Sequence, residues 1–158
     1  MTSKRRDILK AGGGISLYAL VAAAGWLTPV ATARAQAWNK PAFETKSLDE
    51  TVKALGGGAP AQSKDITFFQ TPEIAENGAV VPIGVTSAIP KTDAIAILIE
   101  KNPNMLAAVF EIPPGTEPSL STRVKMAQTS NVYALVRADG KYFVAAKEIK
   151  VTLGGCGG

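Results

Sequence analysis

At 158 residues, with one cysteine, no histidine and a formal charge of +4, the chain excludes several chemistries at once. The missing histidine removes Ser-His-Asp and Cys-His catalytic pairs. The same counts remove an intrachain disulfide and the usual Cys/His zinc site, so no metal site is expected.

In chain order, Lys4-Arg5-Arg6-Asp7-Ile8-Leu9-Lys10 precedes a glycine- and alanine-rich apolar stretch from Ala11 to about Val30. Small residues then alternate at Ala31, Ala33, Ala35 and Ala37. This is the charged, apolar and small-residue order of an export signal. The paired Arg5 and Arg6 point to its twin-arginine type. Gly25 and Pro29 interrupt the stretch, which argues against a membrane anchor. Residues 1–37 are therefore expected to be removed after Ala37, with Ala35 as the alternative. They contain five of the 17 basic and one of the 13 acidic residues, so twelve of each remain. The mature chain has no basic excess for nucleic acid. Residues 38–153 are enough for one domain with a core of its own.

A short polar lead comes first, then a helix. Ser47-Leu48-Asp49-Glu50 fits a capping box, and Leu48, Val52 and Leu55 share one face. Gly56-Gly57-Gly58 ends the helix, and Pro60 prevents its return. From Asp65 the apolar period becomes two. Strands are expected at Ile66–Phe69, around Val81, Ile83 and Val85, and around Ile95, Ile97 and Ile99. Asn77-Gly78 marks a turn between the first two, and Pro82 predicts an edge or a bulge. Leu106, Ala108, Phe110 and Ile112 read as one apolar face, closed by Pro113-Pro114-Gly115. Leu120, Thr122, Val124 and Met126 read as the next. Val132–Ala138 and Lys141–Ile149 flank Asp139-Gly140, a two-residue hairpin signal. About seven short strands predict an all-β, immunoglobulin-like antiparallel sandwich with one short N-terminal helix.

Alternation continues through Val151 and Leu153 into Gly154-Gly155-Cys156-Gly157-Gly158. Four glycines around the only thiol make residues 154–158 an arm of high conformational freedom. A plain disordered tail would account for the glycines. It would not account for a lone exposed thiol, which surfaces normally avoid. An odd cysteine in an oxidising compartment implies intermolecular pairing or a working thiol. No basic residue lies within five positions of Cys156, so activation is expected from a partner. Gly12-Gly13-Gly14 belongs to the signal, and Gly56-Gly57-Gly58 lacks a strand-loop-helix context, so neither is a phosphate cradle. Asp65, Glu73, Glu76 and Asp93 read as solvated surface carboxylates. Met105, Met126, Phe68, Phe69, Phe110 and Tyr133 read as core or partner surface.

The twin-arginine signal, the β-rich domain and the terminal Gly-Gly-Cys-Gly-Gly together resemble the SoxY family. The likeness also covers Ala75–Pro82, Ser121–Ser130 and Lys147–Thr152. Lys4 and Ile8 depart from the serine and phenylalanine more usual around the paired arginines. The resemblance implies a periplasmic, non-catalytic sulfur carrier of bacterial thiosulfate oxidation. It implies that Cys156 receives thiosulfate covalently, with Gly154, Gly155, Gly157 and Gly158 as its flexible arm, and that no other cofactor is held. SoxZ would be the non-covalent partner. The haem-containing SoxXA, the hydrolase SoxB and, where present, the sulfane dehydrogenase SoxCD would visit transiently. A Cys156-linked self-dimer is also expected. Two alternatives stay open: a ubiquitin-like carrier using a terminal thiocarboxylate, and a secreted β-sandwich interaction module that dimerises through its cysteine.

Overall fold

The computed structural model describes residues 39–152. Its centre is β5 (Thr92–Ile99), whose residues 94–99 are all buried. Side chains alternate along a strand, so this run must be covered on both faces. Ile95, Ile97 and Ile99 point into a core shared with a second sheet. Ala94, Ala96 and Leu98 take the opposite face, where Ala96 and Leu98 pack under two short helices. The result is three layers: helices, a large sheet and a small sheet.

The large sheet runs β1-β9-β8-β5-β6, from β1 (Ala61–Gln62), β9 (Lys141–Val151), β8 (Ser130–Ala138), β5 and β6 (Leu106–Glu111). The small sheet runs β2-β4-β7, from β2 (Ile66–Phe69), β4 (Val81–Ser87) and β7 (Ser119–Val124). Val81, Ile83 and Val85 meet Val132, Ala134, Val136 and Ile149 between the sheets. The expected immunoglobulin-like sandwich is present. The hairpin β8–β9 turns at Asp139 (φ 50°) and Gly140 (φ 73°). Two positive φ values in succession suit the right-handed twist of the flanking strands.

The outer layer contains α1 (Lys40–Phe43) and α2 (Leu48–Ala54). Ser47 caps α2 by accepting from the Glu50 amide at 3.3 Å. The Glu50 carboxylate reaches back to the Lys46 amide, one residue before the position a capping box would use. At the other end Gly56 adopts φ 85°. Gly56 N donates to Lys53 O and Gly57 N to Val52 O, closing a Schellman stop. The helix α1 falls in what the sequence presents as polar lead. Asn39 caps it and also donates to Ala54 O, tying its start to the end of α2.

Three expectations are corrected. Leu106, Ala108, Phe110 and Ile112 do not share a face. Ile97 pairs with Ala108 but Leu98 pairs with Leu106, so Ala107 is an extra residue in β6. A bulge of this kind shifts alternation by one. Leu106 joins the helix-side core, whereas Phe110 and Ile112 reach the inter-sheet core. Next, β7 ends at Val124 rather than Met126. Asn102 binds Lys125 O and Ala127 N and turns the chain there, while Met126 stays buried. Finally, the sheet is not wholly antiparallel, because β1 and the two-residue β3 (Ile74–Ala75) pair with β9 in parallel. Pro82 lies in the middle strand of the small sheet, yet β2 pairs with β4 only from Gly84 onward. Its missing amide therefore sits on a locally open edge, as proline requires.

Candidate functional site

The strand β9 carries the chain to the predicted arm, and its last residues are held from both sides. On one side Val151 N donates to Thr129 Oγ1 at 2.9 Å. On the other, β3 pairs in parallel, Ile74 opposite Lys150 and Ala75 opposite Val151. Lys150 N donates to Glu73 O at 2.9 Å and Thr152 N to Ala75 O at 3.1 Å. The Thr152 hydroxyl adds a bond to Glu76 O at 3.2 Å. Inward packing of Ile149 secures the same end, since this side chain is fully buried. Residues 150–152 thus form a fixed root.

The segment that supplies β3 is itself anchored. Lys147 lies in alternation with Ala145 and Ile149, on the side of β9 that faces the core. A lysine there is tolerated only when its ammonium finds an acceptor. Its Nζ donates to Thr71 O at 2.6 Å. The Thr71 hydroxyl accepts from Gly84 N at 3.0 Å and donates to Phe69 O at 2.9 Å. It thereby continues the β2–β4 ladder past Gln70, whose φ of 47° breaks the strand. Through these contacts the small sheet holds the loop that holds the arm root. Met126 N donates to Gly78 O at 2.7 Å and fixes the far side of the same loop.

Electrostatically the root is mixed rather than cationic. A cavity of about 300 Å³ beside it is lined by Glu73, Ile74, Lys147, Glu148 and Lys150. On the adjacent strand β8, Tyr133 sits beside Glu100 and Asn131. Partial burial and then the Glu100 charge raise its pKa above the ordinary phenol value. Arg137, on the far half of β8, bridges Asp93 at 2.6 Å and Glu111 at 2.8 Å. Burial disfavours its charge, but the Asp93 hydrogen bond and the Glu111 charge outweigh that and raise its pKa. This cluster binds β5, β6 and β8 together and is distant along the sheet from the root. Among the described residues no group of three or more acidic, histidine or cysteine side chains could hold a metal. Among them, too, no helix is long and apolar enough to cross a membrane.

Cys156, Gly154, Gly155, Gly157, Gly158, Arg5 and Arg6 all lie outside the described residues. What the structure adds is the root that precedes the predicted arm in the chain. Sequence reasoning missed Thr129, Lys147, Thr152 and β3. A two-residue strand carries no periodicity, and Lys147 reads as one more surface lysine.

Together these features define a β-sandwich whose terminal strand is clamped at its end and continues into a glycine-flanked thiol. A family model described as "Sulfur oxidation protein SoxY" matches residues 52–156, from within α2 through Cys156. The sulfur carrier protein SoxY from Chlorobium limicola f thiosulfatophilum is 38% identical, with a TM-score of 0.56. That match covers 64% of this chain and 93% of the Chlorobium chain. A superoxide reductase (neelaredoxin) from Ignicoccus hospitalis is 19% identical over 54% of this chain and 78% of its own, with a TM-score of 0.48. It carries no functional argument. A comparison with curated proteins gives no match. The chain belongs to the SoxY family of sulfur oxidation proteins.

Proposed function

We propose that the protein is a non-catalytic sulfur carrier that holds thiosulfate-derived sulfur covalently on Cys156. The observation that carries this reading is the clamped end of β9, placed four residues before the only thiol of the chain. The family match running through Cys156 supports it. A fixed root and a short glycine-flanked lead keep the thiol near its body while leaving it deliverable. Tethering also raises the concentration of the intermediate at each enzyme that docks.

The Cys156 thiol joins the outer sulfur of thiosulfate to form Cys–S–S–SO₃⁻, releasing one proton and two electrons. The haem-containing partner SoxXA accepts the electrons. Water then attacks the sulfone sulfur in SoxB, giving Cys–S–S⁻, sulfate and two protons. Where SoxCD is present it oxidises the remaining sulfane sulfur. SoxZ completes the carrier as a non-covalent partner, and the whole operates in the periplasm after removal of residues 1–37. Intact mass of the chain isolated from thiosulfate-fed cells tests the reading. A thiosulfate adduct on the peptide containing Cys156 supports it, and a chain carrying no sulfur species refutes it.

Two further results are expected. Gly155→Val should leave the folded core unchanged, because it lies three residues beyond the clamp at Thr152. Its β-branched side chain narrows backbone freedom next to the thiol. Turnover in the reconstituted system should fall several-fold, measured as sulfate release; unchanged turnover would remove the arm's freedom from the mechanism. Replacing both Arg5 and Arg6 with lysine should retain the precursor in the cytoplasm. The twin-arginine route accepts folded cargo, so SoxZ should be retained with it as a bound passenger. Fractionation that finds SoxZ exported normally would contradict the passenger role.

A further inference from the structure

Among the described residues only two large hydrophobic side chains are strongly exposed, Ile74 at 58% and Val80 at 55%. Single exposed apolar residues are ordinary and need no explanation. These two differ in their placement, since both lie in the loop that grips the arm root. Ile74 stands opposite Lys150 in the β3–β9 pairing, and Thr152 bonds to Ala75 O and Glu76 O. Val80 follows Glu76 by four residues, which keeps it covalently within roughly 14 Å of that contact.

The length of chain beyond the root says what must cover this surface. Cys156 lies four residues beyond Thr152, so the two Cα atoms can be at most roughly 14 Å apart. An enzyme that takes Cys156 into a recessed active site must therefore bring the rim of its opening almost to Thr152. The surface it meets there includes Ile74 and Val80. The adjoining cavity is lined by two lysines and two glutamates. With charges that cancel, it offers no net field to steer a charged partner. The contact available is apolar, and it is small. Small interfaces suit transient encounters, and a carrier must leave each enzyme after its turn.

We propose that Ile74 and Val80 form an apolar docking collar beside the arm root, received by the rim of the active-site opening of each enzyme that processes the Cys156 adduct. The inference rests on the carrier reading. It assigns the body of the domain, and not the arm alone, a part in recognition.

The test uses the full mature chain in complex with SoxZ, loaded with thiosulfate, and purified SoxB as the probe. The variant Ile74→Ser with Val80→Ser removes both apolar side chains from positions that are already exposed. Sulfate release at low carrier concentration is expected to fall roughly tenfold, the scale for loss of one modest apolar contact. The rate at saturating carrier should be unchanged, so that KM rises and kcat does not. Labelling of Cys156 by iodoacetamide and association with SoxZ should match wild type. Wild-type kcat/KM in the double variant would overturn the collar. Loss of SoxZ association would also overturn it, by showing that a permanent subunit covers this surface. Failure of the wild-type chain to accept an adduct would instead sink the carrier reading, so the two failures are distinguishable.

Discussion

Cys156→Ser is expected to abolish every thiosulfate-dependent mass addition and to reduce sulfate release to background. The loss should be complete rather than graded. Oxidative conjugation requires a sulfur that can enter an S–S bond, and a hydroxyl cannot take its place. No second thiol exists to substitute for it. Stability should not change, because Ile149, Val151 and Thr152 complete the packing and hydrogen bonding of the root before the arm begins. An unaltered denaturation midpoint together with a vanished adduct therefore separates chemistry from folding. The two other readings predict different patterns. A ubiquitin-like carrier would keep its load in the serine variant, since its sulfur resides on the terminal carboxylate. An interaction module would show a disulfide dimer and no sulfur adduct even with Cys156 present. Intact mass, rather than non-reducing electrophoresis, decides among the three, because a cysteine-linked dimer is compatible with two of them.

Where a single local rule dominates, the fold was legible from the chain. Asp139-Gly140 turns as expected because both positions need positive φ, and few residue pairs tolerate that. Ser47 caps α2, and Gly56 stops it, for equally local reasons. The odd-numbered isoleucines of β5 are buried where their alternation put them. The even face of β5 was not legible, because Ala94 and Ala96 are small enough to read as neutral spacers. Ala96 is buried because α1 and α2 lie over that side of the sheet, a fact of tertiary placement. The bulge at Ala107 was hidden for a related reason. Leu106, Ala108 and Phe110 alternate perfectly in sequence, and only the pairing of β5 with β6 reveals the extra residue. At the site, the thiol and its glycines are conspicuous in composition alone. The clamp that gives the arm a fixed origin is not, since Thr71, Lys147 and Thr152 bond to backbone groups distant in sequence.

Gly84→Val is expected to be the most destabilising single change in the small sheet, and its effect should reach the arm root. Gly84 is buried opposite Phe69 in the β2–β4 pairing. A β-carbon there would collide with the carbonyl oxygen and the ring of Phe69. A ring can rotate away, but a backbone oxygen in a paired strand cannot move without breaking the ladder. Overpacking of this kind typically costs about 1–3 kcal/mol. The displacement would also pull apart the bonds from Gly84 N to Thr71 and from Thr71 to Phe69. Each such bond contributes about 1 kcal/mol. A total loss of about 3–5 kcal/mol is therefore expected, a large part of the stability of a domain this size. Denaturant titration should show a lower midpoint, with Gly84→Ala shifted in the same direction by less. Thr71 O is also the acceptor for Lys147, so displacing Thr71 slackens the loop that bears β3. Amide exchange at Lys150 and Thr152 should accelerate in the valine variant under conditions where the domain remains folded. If stability drops while protection of those two amides is retained, the clamp on the arm is independent of the small sheet. The β3 pairing and Thr129 would then fix the end of β9 without support from the small sheet.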